Sequence, residues 1–326
     1  MPTVSVLMVC HRDTPFLRPA LASVLEQTFR DLELVLVDNG AGLTSDGLGE
    51  LGRDPRLRWV RFERNRGIPA GHNAGVAAAR GEFIALLDHD DLMLPRRLER
   101  QVALLQAEPA LGLVSSCAET IDGSGRVIGR EFALVDGEAQ RRYTQFASPV
   151  VTPAYTGRRE VFVTLPYRAE FSLTADFDFL ARAAERFTLG AVPEVLLRYR
   201  RHPAQATVEQ AARIAAEQCV IRLLAVRRRT GRPEGSDWPQ LLVGTEGRPD
   251  DAVILRHYTR KFLAEGFWVL AAYHARRSFA RRRTVPALLT ASRLFMLAWW
   301  PAGAERALVA RMFFLGPVRA LRLQPA

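Results

Sequence analysis

The residues best suited to chemistry are acids. Asp88-His89-Asp90-Asp91 puts three carboxylates within four positions, directly after the apolar run 83–87. Asp38-Asn39-Gly40 follows a second apolar run, 32–37. Four acids in two short turns repel one another unless something cationic lies between them. Carboxylates are oxygen ligands of the kind that hard cations take, although turns at strand ends are commonly polar in any case. A second chemistry comes from Asn65-Arg66-Gly67 and Gly71-His72-Asn73, which lead into a helix of small residues. Free N–H groups at a helix start suit a diphosphate, and Arg66 can add a charge-assisted contact. The same glycines serve close helix–sheet packing equally well. His72 receives no role.

Positioning these residues calls for alternating strands and helices. Apolar runs predict strands over 4–9, 32–37, 56–62, 83–87 and 111–116, and apolar residues at helical spacing predict helices over 16–28, 70–80 and 95–107. That alternation implies an α/β fold built on a mostly parallel sheet. The strands are apolar on both faces, as expected when helices cover both sides. Ligands bind such sheets beyond the carboxyl ends of the strands. Those ends are Cys10-His11, Asp38-Asn39 and Asp88–Asp91. Further along, Asp122-Gly-Ser-Gly125 reads as a hairpin turn and 160–163 as a short strand. A helix is expected over 175–187, strands over 189–192 and 195–199, and a helix over 208–229. Residues 231–251 read as a linker, and 252–326 as a basic, aromatic helical tail.

Composition bounds the rest. The 326 residues are 48% hydrophobic and 25% charged, which excludes a disordered chain or a collagen-like repeat. Cys10, Cys117 and Cys219 form no CxxC pair, so neither a zinc site nor a disulfide framework is expected, and the compartment is reducing. Residues 1–205 carry 25 arginines against 26 acids, whereas 206–326 carry 20 basic residues against 9 acids. The net charge of +10 therefore belongs to the tail. Basic helices with aromatic residues suit an anionic membrane surface. Packing on the rest of the chain or on a second subunit is the other use of such helices. No RNA or DNA motif accompanies the charge, so nucleic acid is not expected as a partner. The most apolar stretch, 285–304, contains Arg293 and Pro301, so no ordinary transmembrane helix is expected. The chain opens straight into a strand pattern, with no visible signal peptide.

Taken in order, several blocks resemble family 2 glycosyltransferases with the GT-A fold. They are Val4–His11, Leu21–Thr28, Glu33–Gly40, Asn65–Gly75, Arg80–Asp91, Thr174–Leu180 and Leu197–Pro203. The resemblance covers residues 3–205. It implies a GT-A-type, Rossmann-like catalytic domain over 1–205, with 206–326 as a helical basic extension. It further implies an inverting, metal-dependent sugar transfer from a nucleotide-diphospho-sugar to a glycan or lipid-linked acceptor. On this reading Asp90 and His202 hold the cation, and imidazole among the ligands suits Mn2+ better than Mg2+. Asp88 contacts the ribose, and His11, Asp38, Asn39, Arg66 and Asn73 bind the nucleotide-sugar. Asp176 is the general base that deprotonates the acceptor hydroxyl as it attacks the anomeric carbon. Asp178, two residues on along a helix, should point elsewhere. The pattern departs from the family at Asn39 and Ala175, where acids are common, and at His11, where tyrosine is usual. The protein is expected in the cytoplasm, peripherally on the inner face of the membrane, in cell-surface polysaccharide synthesis.

Two other classes compete. A nucleotidyltransferase also sets carboxylates and metal at strand ends, but it needs a glycine-rich segment after the first strand. That place holds His11-Arg-Asp-Thr-Pro15, without glycine. A non-catalytic sugar-nucleotide binder would not need Asp88, Asp90 and Asp176 together.

Overall fold

A computed structural model describes residues 1–144, 147–205 and 210–235. Its first compact unit is Met1–Arg141 with Ser148–Gln205. Four parallel strands open it: β1 (Val4–Cys10), β2 (Leu32–Asn39), β3 (Leu57–Phe62) and β4 (Phe83–Leu86). Helices α1 (Leu17–Leu25), α2 (Glu50–Arg53) and α3 (Ile68–Ala78) connect them. Then come β5 (Leu92–Met93), α4 (Arg97–Ala107), β6 (Leu111–Ile121), β7 (Val127–Glu131) and α5 (Gly137–Tyr143). The unit closes with β8 (Thr156–Arg158), α6 (Arg159–Thr164), α7 (Ala175–Arg186) and β9 (Thr188–Arg200). The sheet order is β3-β2-β1-β4-β8-β6-β9-β5, with β7 added on β6. The longest ladders, β1–β2 and β6–β9, are parallel, while the antiparallel pairings are short.

Burial explains the strands. Every residue of β2 is buried and six of seven in β1 are, so both faces are covered. Of the two buried acids in β2, Glu33 accepts from Ser5 Oγ at 2.7 Å and from Arg80 Nη2 at 2.7 Å. Helix α3 lies close against β1 because its glycines lack side chains. A Cβ on Gly75 would fall 2.0 Å from Leu7 Cδ1, and one on Gly71 2.6 Å from Val9 Cγ1. The packing use of these glycines is therefore realised. The three cysteines are buried and free.

Two expectations need correction. Residues 160–163 are not a strand but lie in α6. Adjacent Val161 and Phe162 are both buried while Glu160 and Val163 are exposed, which is not strand alternation. The two strands expected between 189 and 199 are one, β9. Its pairing skips from Ser116↔Val192 to Cys117↔Val195, so a bulge at Pro193-Glu194 absorbs the proline that suggested a break. The helix expected over 208–229 is present, described from Ala211 to Arg229 (α8), in the second unit; residues 208–209 lie outside the described residues. The tail over 252–326 and most of the linker lie outside the described residues. Among the described residues no helix is long and apolar enough to cross a membrane.

Candidate active site

Strand β4 is buried throughout and delivers its chain to the carboxyl edge of the sheet. There Asp88 to Asp91 turn back, with Asp91 N donating to Asp88 O at 3.2 Å. Carboxylate oxygens of Asp88, Asp90 and Asp91 lie within 4.8 Å of one another. Asp91 is fully buried, and its Oδ2 has no hydrogen-bond partner. Its Oδ1 accepts from Arg200 N at 2.7 Å. Burial first, then the charges of Asp88 and Asp90, push Asp91 well above the usual carboxylate range. Asp88 is pushed up to about 8 by desolvation, then by Asp90 and Asp176. By surface area Asp88 is exposed, while many protein atoms lie close around its carboxylate. Three crowded carboxylates with an orphaned oxygen fit a hard divalent cation in donor type and spacing.

The end of β9 forms the next wall. Arg200 Nε donates to Asp90 O at 2.9 Å, and its Nη1 reaches Asp122 O at 3.1 Å, fastening the β6–β7 hairpin to the acid turn. The guanidinium stands 4.6 Å over the Phe16 ring. Arg200 is thus structural rather than free for phosphate. His202 Nε2 is 3.0 Å from Asp90 Oδ2, and Phe16 packs on the imidazole at 5.0 Å. Gln205 also reaches Asp90 Oδ2, at 3.5 Å. His11 meets His89 edge-on, with ring centroids 5.7 Å apart. Both imidazoles are pushed down, first by desolvation, which favours their neutral forms.

Asp176 stands in the first turn of α7, where the helix dipole favours an anion. Its Oδ2 accepts from Thr152 Oγ1 at 2.8 Å. Its charge is felt at Asp88, at His72 and at Tyr167, so it faces the acid turn. Asp178 is buried and ion-paired to Arg168 and Arg182, away from this role.

The β2 end is organised differently. Asp38 is buried and accepts from its own loop, Ala41 N at 2.7 Å and Leu43 N at 2.8 Å. Asn39 accepts from Arg66 N at 2.9 Å and donates to Gly67 O at 3.0 Å. Gly40, at φ +81°, lets the next loop close in, since a Cβ there would be 2.3 Å from Asn65 N. Arg66 is exposed and rests 4.6 Å over Phe62. Asn73 spends its amide on the Tyr167 backbone, donating to O and accepting from N at 2.8 Å each. Asn39 and Asn73 thus spend amide hydrogen bonds on neighbouring backbone, which fixes the loops that carry them. Sequence reasoning passed over Thr152, Phe16, His89 and Gln205. Thr152, Phe16 and Gln205 reach the site through tertiary packing and carry no local spacing signal, whereas His89 lies inside the acid run itself. An open hollow of about 700 Å³ lies at the opposite, amino end of the strands, among Met1, Glu33 and Arg58, and is separate from this chemistry.

Comparison with known proteins follows the same lines. The family model described as Glycosyl transferase family 2 matches residues 5–165. An uncharacterized glycosyltransferase of Methanocaldococcus jannaschii is 29% identical over 206 residues, covering 61% of this chain and 71% of the relative. The succinoglycan biosynthesis protein ExoO of Rhizobium meliloti is 34% identical over 110 residues, 34% of this chain and 32% of that protein. Among solved structures, S. aureus TarS in complex with UDP-GlcNAc aligns with TM-score 0.57 at 16% identity, covering 97% of this chain and 92% of that one. Mannosyltransferase PcManGT from Pyrobaculum calidifontis, in complex with GDP-Man and Mn2+, aligns with TM-score 0.52 at 18% identity, over 98% and 86% of the two chains. At such identities the structural likeness speaks for the fold.

Proposed function

The chain belongs to the family 2 glycosyltransferases of GT-A fold, and from that premise we propose an inverting, divalent-cation-dependent transfer from a nucleotide-diphospho-sugar. The single observation that carries the reading is the convergence of Asp88, Asp90, Asp91 and His202 beside Asp176. Family membership also decides against the nucleotidyltransferase alternative. Asp90 and His202 would hold the cation, with Asp88 on the ribose. Bound there, Mg2+ or Mn2+ supplies positive charge to the departing diphosphate. Asp176 takes the proton of the acceptor hydroxyl, and Thr152 fixes the orientation of its carboxylate. Asp38 and Asn39 shape the loops over which the nucleoside lies. His11 and Arg66 are the exposed side chains left to contact it.

Residues 1–205 form the catalytic domain in this proposal, and 206–326 the extension that meets an anionic membrane. Relatives such as ExoO, named for succinoglycan biosynthesis, support a growing glycan or lipid-linked acceptor in polysaccharide synthesis at the inner membrane face. Neighbours crystallised with UDP-GlcNAc and with GDP-Man support a nucleotide-sugar donor without choosing its base. The test is a thermal-shift screen of nucleotide sugars with and without Mn2+. A true donor stabilises the fold by mass action only when the cation is present. Equal shifts without cation would argue for a metal-free mechanism.

A further inference from the structure

The edge of the sheet carries charge that no neighbouring acid balances. Among the described residues strand β3 pairs only with β2, and its other side has no strand on it. Arg58, Arg61, Arg64 and Arg66 occupy it and the following loop, against the single acid Glu63. None of the four is ion-paired to a carboxylate among the described residues. The contrast begins one turn earlier, where Arg53 pairs with Asp46 and Arg56 with Asp54. On β3 the arginines lie on rings instead. Arg61 stands 4.2 Å over Trp59, its same-face neighbour two residues back, and Arg66 stands 4.6 Å over Phe62. A guanidinium held flat on a ring keeps its in-plane N–H donors turned outward and loses little freedom on binding. Arg61, Arg64 and Arg66 are exposed.

We propose that this edge docks on an anionic lipid bilayer. The proposal does not depend on the catalytic reading or on the basic tail. Charge complementarity selects an anion, and extent selects a surface. Six strand residues span about 20 Å, too long a line of cations for one phosphate. Single-stranded nucleic acid is bound on free aromatic faces that stack its bases. Here two ring faces already carry arginines. Cations beside half-buried aromatic rings are the usual composition at headgroup level.

A blander use of these charges is to stop the open edge pairing with another sheet, which acids would do equally well. The experiment separates the two. Full-length protein is mixed with phosphatidylcholine vesicles, or with vesicles containing phosphatidylglycerol, and followed by co-sedimentation and backbone hydrogen exchange. Protection of residues 57–66 is expected only with the anionic vesicles. Replacing Arg58, Arg61 and Arg64 by Gln should weaken partitioning about tenfold or more, and replacement by Glu should weaken it further. Thermal melting checks that the variants fold, and the footprint on the wild-type chain decides the matter if they do not. Absence of that footprint, partitioning that ignores the sign of the substitutions, or protection by polyphosphate or an RNA oligonucleotide but not by vesicles would each overturn the proposal.

Discussion

The ends of β2 and β4, on either side of β1, carry acids and treat them in opposite ways. At the end of β2, Asp38 and Asn39 are saturated, their oxygens taken by backbone N–H groups of residues 41, 43 and 66. At the end of β4, the carboxylates crowd one another, and Asp91 keeps a buried oxygen without any partner. Buried polar groups are normally satisfied. A satisfied acid therefore reads as a builder of loops, and a crowded, unsatisfied set as one arranged around something absent from the chain itself. The same contrast recurs two residues apart in α7. Asp178 is locked by arginines, while Asp176 meets no cation among the described residues, accepts from Thr152 Oγ1 and Phe177 N, and looks towards the acid turn.

The contrast breaks most visibly at Asp90. Asp90→Ala should lower transfer by about a thousandfold or more, since several kcal/mol of charge stabilisation is lost with the cation. Asp176→Asn should lower kcat by about a hundredfold to ten-thousandfold while donor affinity stays level. Equal loss of donor binding would remove Asp176 from the role of base. Asp178→Asn acts on the fold instead. Taking away the buried carboxylate that Arg168 and Arg182 share should cost about 3 kcal/mol, read as a Tm lowered by several degrees. Asp38→Ala should cost about 1–3 kcal/mol through the stranded N–H groups of Ala41 and Leu43, with Mn2+ affinity unaltered.

The smallest effect sharpens the contrast through pH. Asp88 sits at about 8 in the folded chain, against 3.8 as its ordinary value. Between those values the folded state holds a proton that the unfolded state has released, so stability falls as pH rises. The contribution is complete below the lower value and gone above the upper one. Without metal, the Tm of the wild type should therefore decline relative to Asp88→Asn as pH climbs from about 4 to about 8, and Mn2+ should reverse the decline. Parallel melting curves for the two proteins would show that Asp88 is not crowded.

Much of this was readable from the residues alone, for physical reasons. Apolar runs of strand length can hardly be anything but buried strands, so their carboxyl ends, and Asp38 and Asp88 to Asp91 with them, follow directly. Helical spacing separates Asp176 from Asp178. Use of side chains is another matter. Nothing local says that Asn73 would spend its amide on Tyr167, more than ninety positions away, or that Thr152 would reach Asp176. Residues 160–163 are β-branched and aromatic enough to look like a strand. Tertiary packing of Val161 and Phe162 overrides that propensity. The proline in β9 looked like a break because a bulge leaves no mark in composition.

The central claim is that the β4 acids hold one divalent cation that carries the diphosphate. Calorimetric titration of Mn2+ into the protein with inorganic pyrophosphate tests it without knowing the donor's base or sugar. The account predicts a single site, present in the wild type and in Asp38→Ala, and abolished in Asp90→Ala. Undiminished binding in Asp90→Ala would contradict it.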